Sequence, residues 1–426
     1  MYDWANSAYI LTVAVGVLPA YFAGVVVGAD GLRIGGIETS ATAVWAFTIS
    51  IASLIAFIFA PVLGAIADFS ATKKRFLLVF AYAGALFTTL LYFCGSGDIY
   101  LTLLLFLLAQ VSFIASLVFY DSFITDIVSP ERMDWISGKG YSYGYVGGGI
   151  QFAFALALVA GHEFLGISQA MAARISILTA GIWWAGFSLV TVKYLREEKQ
   201  DAPRRSIAEH IGIGFSRTLQ TTLKIRQFRH LVLFLLAFML YNDGIQTVID
   251  MASIYGAEEL KLSTTTLMVT LLVVQIIAAF GAMLFSWIAM KIGSKKAIML
   301  SLVLWSGVVI YAYFIETAAE FFGLGVIIGI VLGGSQALSR SFYGSMVPEE
   351  ASAEFFGFYT IFTRFSAIWG PATFGLVRQA VGSSRLAIVS LIFFFVAGLI
   401  LMAFVDVKKA RAAKESGLFD SQYSQA

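Results

Sequence analysis

Charge is scarce in this 426-residue chain: only 13% of its residues are Asp, Glu, Lys or Arg, about half the ~25% usual for a soluble domain. That scarcity excludes an ordinary water-soluble fold of this length. Cysteine is nearly absent. With Cys94 alone, an internal disulfide and a thiolate metal framework are both excluded. The three histidines, His162, His210 and His230, lie too far apart in sequence to offer ligand spacing. Glycine-rich runs at 138–140 and 147–149 lack the spacing of a phosphate loop. No nucleophile elbow is present, and no His or Cys stands inside an apolar stretch with a partner. The chain therefore reads as no enzyme, with no cofactor and no metal. Its net charge of +2 points to no nucleic-acid partner. A cleavable signal is missing as well, because Met1 leads almost directly into an apolar stretch with no basic region before it. That abrupt start suggests a late start codon or a trimmed N-terminus.

What the chain does have is hydrophobic length. Fully 59% of its residues are hydrophobic and the mean hydropathy is +0.85. A helix needs about 20 mostly apolar residues to cross the hydrocarbon core of a bilayer. Stretches of that size occur at 4–27, 42–67, 76–95, 100–128, 140–161, 172–194, 229–255, 265–290, 296–315, 320–345, 354–377 and 385–406. They are continuous rather than alternating, which excludes a membrane β-barrel. The expected class is an all-α polytopic membrane protein with 12 transmembrane helices. An even number of spans puts both termini on one side. Of the 28 Lys and Arg, 21 fall on that side, five on the other and two (Arg340 and Arg364) inside spans. The asymmetry makes both termini cytoplasmic.

The longest polar stretch separates a six-helix half at 1–195 from a second at 230–407, with a tail at 408–426. Within the linker at 196–229, Ile207, Ile211, Phe215, Leu219 and Leu223 recur every four residues among Arg204, Arg205, Arg217, Lys224 and Arg226. This pattern predicts a basic amphipathic helix lying on the inner leaflet; the alternative is a charged connector. The halves echo each other. Lys73-Lys74 has a counterpart in Lys295-Lys296, 222 residues on, and Pro130-Glu131 one in Pro348-Glu349, 218 residues on. Parallel repeats of this kind are a transporter architecture.

Several motifs carry a mechanism. The loop after the second span runs from Gly64 through Asp68 to Lys73, Lys74 and Arg75. Gly64 permits close helix approach, and Asp68 can bond the N-terminus of a neighbouring helix or pair with a cation. Such a contact can latch a gate; the alternative is a plain positive-inside loop. Glycines repeat every four residues at Gly140, Gly144 and Gly148, and again at Gly325, Gly329 and Gly333, which predicts tight helix contacts.

Polar residues inside spans point to function, because burying them in lipid costs several kcal/mol. The candidates for substrate binding or coupling are Asp3, Asn6, Asp121, Asn242, Asp243, Gln246, Gln336, Arg340 and Arg364. Carboxylates at Asp121 and Asp243 suit an ammonium group or a proton, and the arginines suit a carboxylate or phosphate. A pocket of both signs fits a zwitterion. Two alternatives stand beside this: Asp121 and Arg340 pair as a gate salt bridge, and Asp243 is a satisfied structural hydrogen bond. Asp126, beside Pro130, reads as a helix-end residue.

Five stretches together resemble one family: Tyr2-Asp-Trp-Ala-Asn-Ser-Ala-Tyr9, Ser137-Gly-Lys-Gly-Tyr-Ser-Tyr-Gly-Tyr-Val-Gly-Gly148, Tyr241-Asn-Asp-Gly244, Gly333-Gly-Ser-Gln-Ala-Leu-Ser-Arg-Ser341, and Glu354-Phe-Phe-Gly-Phe-Tyr359 with Gly370-Pro371. They look like the vacuole-effluxer branch of the major facilitator superfamily, related to the fungal autophagy-linked amino-acid effluxer. The Gly64–Arg75 loop resembles that superfamily's cytoplasmic signature, although Phe69 follows Asp68 where a basic residue is common. The resemblance implies a major facilitator fold working by alternating access, with the first, fourth, seventh and tenth helices lining the cavity. It also implies efflux of a small solute such as an amino acid; a coupling proton and a monomer are further expectations. The long loop insertions of fungal relatives are missing, so a bacterial inner membrane is the expected address. The rivals are a drug or lipid exporter of the same fold and a non-transporting membrane receptor or scaffold. On the coupling reading, Asp243→Asn abolishes pH-dependent transport and leaves insertion intact.

Overall fold

A bilayer interior supplies no water to backbone amides, so apolar stretches of this length must satisfy their own hydrogen bonds as helices. The computed structural model describes residues 1–28, 32–34, 37–197, 207–224 and 228–414, and among them helices joined by short turns predominate, with one small hairpin. The spanning helices are α1 (Tyr2–Val27), α2 (Ala41–Ser70), α3 (Lys73–Leu90), α4 (Ile99–Ile127), α5 (Met133–Ala160) and α6 (Gln169–Tyr194). After the linker helix α7 (Ile207–Lys224) come α8 (Arg229–Glu258), α9 (Thr264–Ile292), α10 (Ser294–Phe314) and α11 (Ala318–Gly344). The chain ends in α12 (Ser352–Phe365), α13 (Trp369–Val381), α14 (Ser384–Ser390), α15 (Ile392–Phe404) and α16 (Val407–Lys414). Strands Leu32–Ile34 and Ile37–Thr39 pair antiparallel between α1 and α2.

Among the described residues, 11 helices are long and apolar enough to cross a membrane, α14 and α15 counting together as one. The stretch expected as a single span at 354–377 is instead broken into α12 and α13, of 14 and 13 residues. Two local causes explain the break. Pro371 has no N–H to continue the ladder, and Gly370 before it is a poor helix former. The third cause is tertiary: the Asp243 carboxylate accepts from the Trp369 and Gly370 amides at 3.1 and 2.8 Å and so caps the new helix start. A Cβ at Gly370 would lie 2.8 Å from an Asp243 carboxylate oxygen, so only glycine fits.

Helix α1 is also irregular. It winds as a π-helix over Tyr9–Val17 and returns to α-geometry at Leu18. Pro19 cannot donate to the carbonyl of Val15, which interrupts the regular ladder there.

The chain forms two compact units. The first comprises Met1–Ala60, Ala71–Tyr120 and Tyr143–Ala202; the second comprises Pro61–Ser70, Asp121–Ser142 and Pro203–Ala426. In the first unit an aromatic core holds Tyr9, Phe113 and Trp184, with ring centroids 5.2–6.0 Å apart. Polar threads cross it: the Tyr9 hydroxyl donates to Gln110 at 2.8 Å, Thr12 to Gln151, and Gln151 to Ser176 and Thr179. In the second unit α9 and α11 pack backbone against backbone. A Cβ on Gly333 would stand 2.0 Å from the Ala278 carbonyl oxygen, and one on Gly281 2.2 Å from that of Ile330.

The lysine repeat performs one task in each unit. Lys74 donates to the Val192 and Leu195 carbonyls at the end of α6. Lys295 donates to the Ala403 and Val405 carbonyls at the end of α15. Each cation satisfies orphan carbonyls at a helix C-terminus.

The α9–α11 contact makes a direct prediction. Gly333→Val should lower the thermal unfolding midpoint of the purified protein, by an overpacking cost of about 1–3 kcal/mol. Gly323→Ala, where nothing lies within 4 Å of the added Cβ, should leave it unchanged or raise it.

Candidate functional site

The most elaborate polar lattice lies where α2, α4 and α5 meet α10, α11 and α12 within the second unit. Arg340, in the penultimate turn of α11, is 4% exposed. Its Nη1 donates to Asp121 Oδ1 of α4 at 3.0 Å, its Nε to the Ser137 hydroxyl of α5 at 3.0 Å, and its Nη2 to the Ser137 carbonyl at 3.1 Å. The guanidinium plane lies 4.3 Å from the Tyr141 ring centroid. A planar fork with five donors can serve two helices at once in this way, where a lysine could not. A charge this deep is tolerable only with its counter-ion and acceptors in place.

Neighbouring contacts extend the lattice. The Asp134 carboxylate of α5 accepts from Ser294 of α10 at 2.6 Å and from Ser341 of α11 at 2.5 Å. The Ser137 hydroxyl donates to the Ala337 carbonyl at 2.7 Å. One turn away, Asp68 at the end of α2 accepts from the Ala353 and Glu354 amides at 3.2 and 2.9 Å, capping the start of α12. Gly64 allows that approach, since a Cβ there would be 2.3 Å from the Ala353 carbonyl oxygen. Both helices that follow the repeated prolines, α5 and α12, thus begin inside this lattice.

The basic residues of the same loop do different things. Lys73 is buried, Lys74 holds the end of α6, and Arg75 is exposed. Asp126 is exposed at the end of α4.

The other sequence candidates fall into two places. In the first unit, buried Asp3 accepts from the Tyr120 hydroxyl at 2.6 Å. Asn6 is buried beside it in sequence, and its Nδ2 has no hydrogen-bond partner among the described residues. In the second unit, Asn242 donates to the Ser366 hydroxyl, while Asp243 caps α13. The Asn242–Asp243 pair therefore staples the broken helix to α8. Tyr241 bonds Ser339 of α11 at 2.6 Å. Gln336 is half-buried on α11, and Arg364 is half-buried in the last turn of α12.

Sequence reasoning passed over Asp250. It lies on α8 four residues after Gln246 and eight after Asn242, so the three share one helix face. Asn242 is buried, Gln246 half-buried and Asp250 exposed. Among the described residues Asp250 has no hydrogen-bond or ion-pair partner. A carboxylate inside a spanning helix that faced lipid would cost several kcal/mol, which makes this face a candidate for contact with water or solute. The period-four recurrence of polar residues was the available signal. Asp134, Ser137 and Tyr141 gave no such signal: the first two precede the expected span, Tyr141 stands at its very start, and each matters only through a distant partner.

Comparison with known proteins bears on this arrangement. The family model described as vacuole effluxer Atg22 like matches residues 2–415. An uncharacterized MFS-type transporter of Bacillus subtilis is 35% identical over 408 residues, covering 95% of this chain and 93% of that protein. Autophagy-related protein 22-1 of Aspergillus clavatus is 28% identical over 324 residues, covering 69% of this chain and 52% of that protein. The chain thus spans about half the length of that fungal relative. Among solved structures, the major facilitator transporter FucP in its outward conformation superposes with a TM-score of 0.70 at 14% identity, over 95% of this chain and 96% of FucP. The human organic anion transporter MFSD10 gives 0.64 at 13% identity, over 94% and 96%. Both likenesses speak for the fold.

Two measurements test these contacts. In a double-mutant cycle of Asp121→Asn and Arg340→Gln read by thermal unfolding, the two changes should couple by about 0.5–3 kcal/mol; strict additivity would mean that the pair contributes nothing. Asp243→Ala should cost about 0.5–2 kcal/mol through loss of the cap, whereas Asp243→Asn, which keeps a capping oxygen, should cost less.

Proposed function

Because the chain belongs to the Atg22-like vacuole-effluxer family of major facilitator transporters, we propose that it exports a small zwitterionic solute, an amino acid, by alternating access. It is a multi-pass membrane transporter and no enzyme. The observation that carries the finer reading is the polar face of α8, ending in the Asp250 carboxylate, which has no partner among the described residues. An ammonium group is the natural counter-ion for such a carboxylate, and the amides of Gln246 and Asn242 offer donors to a carboxylate on the same solute. Coupling by a proton is assigned to Asp250 rather than to Asp243, whose two oxygens are already committed to the α13 amides.

The lattice around Arg340 is the gate that closes one end of the pathway. Its bonds are directional and centre on Arg340, Ser137, Asp68, Asp121 and Asp134. It can therefore break as a unit and re-form, which a seam of interlocked apolar side chains cannot do as readily. Arg340 serves the gate, and the solute site lies with α8. The charge asymmetry puts this gate, with both termini, on the cytoplasmic side. The near-equal length of the Bacillus relative supports a bacterial cell membrane as the address. With α12 and α13 crossing together, the count of spans is twelve, in two halves of six. The exporter acts as a monomer.

A second reading has one observation in its favour. An apolar cavity lined by Val248, Ala252, Leu271, Val274, Val308 and Leu324 opens among α8, α9, α10 and α11. A drug or lipid exporter would use such a cavity.

Counterflow of radiolabelled amino acids in vesicles separates the two. Asp250→Asn should weaken amino-acid counterflow at least about tenfold, the equivalent of one charge-assisted hydrogen bond of ~1.5 kcal/mol. Unchanged counterflow in that variant, or flux confined to apolar cations, would remove the zwitterion reading.

A further inference from the structure

We infer that α7 is a lipid-anchored strap over the gate: one face grips the Asp68–α12 corner, and the other is covered by an anionic membrane surface. The inference rests on the gate described above and adds its regulation.

The gripping face is small and polar. Gly214 lies against α2, where an added Cβ would stand 2.6 Å from the Ile66 side chain and 3.1 Å from the Val62 carbonyl. Arg217, one turn on, places its guanidinium 4.5 Å from the Phe69 ring centroid, beside Asp68 in sequence. Thr221, another turn on, is buried with its hydroxyl beside the Glu354 carboxylate of α12. Residues 214, 217 and 221 thus form one stripe that touches both partners of the Asp68 cap. Glu354 itself is fully buried, with Asp68 and Arg217 as its charged neighbours and Tyr343 also facing it.

The opposite stripe is apolar and uncovered. Phe215, Leu219 and Leu223, four residues apart, are 48%, 62% and 71% exposed. Exposed polar residues Ser216, Gln220 and Thr222 flank them. This inverts a soluble amphipathic helix, whose apolar face would turn inward. Lipid is the occupant for two reasons. Helix α7 docks on the last two turns of α2, the end of a helix long and apolar enough to cross a membrane, so α7 sits at the end of a span. The sequence also sets Arg204 and Arg205 before the helix and Lys224 and Arg226 at and after its end, where they suit anionic headgroups.

A helix held on one side by lipid and on the other by both halves of a hydrogen-bonded corner biases that corner toward its closed state. Anionic lipid then acts as a ligand with higher affinity for the closed gate.

The test uses the full chain with Cys94, its only cysteine, replaced by Ala. Single cysteines at Leu219→Cys and Gln220→Cys carry a fluorophore in vesicles with and without phosphatidylglycerol. A lipid face predicts quenching of the Leu219 site by brominated acyl chains and of the Gln220 site by aqueous iodide. A third variant, Ser345→Cys at the buried end of α11, reports gate opening by its alkylation rate. Phosphatidylglycerol should slow that rate several-fold, and adding Leu219→Glu should abolish the effect. Iodide quenching at both sites overturns the lipid face. Shielding from iodide without bromolipid quenching means that a protein covers the stripe, and overturns it too. Lipid quenching with a phosphatidylglycerol-independent alkylation rate overturns the strap. None of these readouts needs a transported solute, so their failure is separable from failure of the amino-acid reading.

Discussion

The structure depends most on the need to satisfy helix ends in a medium without water. Each helix leaves four amides and four carbonyls unpaired, and in lipid each orphan costs several kcal/mol. Aspartates meet that need twice at interrupted positions. Asp243 caps α13 and Asp68 caps α12, each with both carboxylate oxygens on consecutive amides. Lys74 and Lys295 answer the same need at C-termini. A stretch of sequence that would otherwise run as one span is broken because α8 supplies the cap for the break.

The two aspartate caps differ in what surrounds them. Asp243 is joined by Asn242, which bonds Ser366 at the other side of the same break, so the connection is doubly stapled. Asp68 is joined by contacts through α7 and stands beside a lattice in which Asp121, Asp134 and Arg340 link helices distant in sequence through side-chain hydrogen bonds. A stapled break is suited to holding a helix shape. A set of such links is suited to opening and closing, since each bond is worth only about 0.5–3 kcal/mol net. The caps are alike in chemistry and unlike in cooperativity.

Much of the site was legible before the structure, but by different routes. Asp68 was readable as a capping residue because Gly64 stands four residues before it at a span end. Arg340 was readable as costly because it interrupts an apolar run, yet its pairing with Asp121 stood only as one of two alternatives. Asp243 stood out for the same reason, while its commitment to Trp369 and Gly370, about 125 residues on, left no local trace. The linker helix was legible as amphipathic, with Phe215, Leu219 and Leu223 on one face. Two members of that pattern, Ile207 and Ile211, have side chains outside the described residues, as do Arg204, Arg205 and Arg226.

The sequence by itself determined the class, the rough position of the apolar helices, the charge asymmetry and the small-residue faces. These are properties of single residues or of fixed short spacings, and hydrophobic transfer free energy adds up along a segment whatever lies elsewhere. Tertiary structure alone decided which polar groups are partners: that Arg340 closes on Asp121 and Ser137, that Asp243 caps a helix end, and that Asp250 meets no partner among the described residues. A hydrogen bond is decided within a few tenths of an ångström, and only the packed helices bring residues hundreds of positions apart to within that distance.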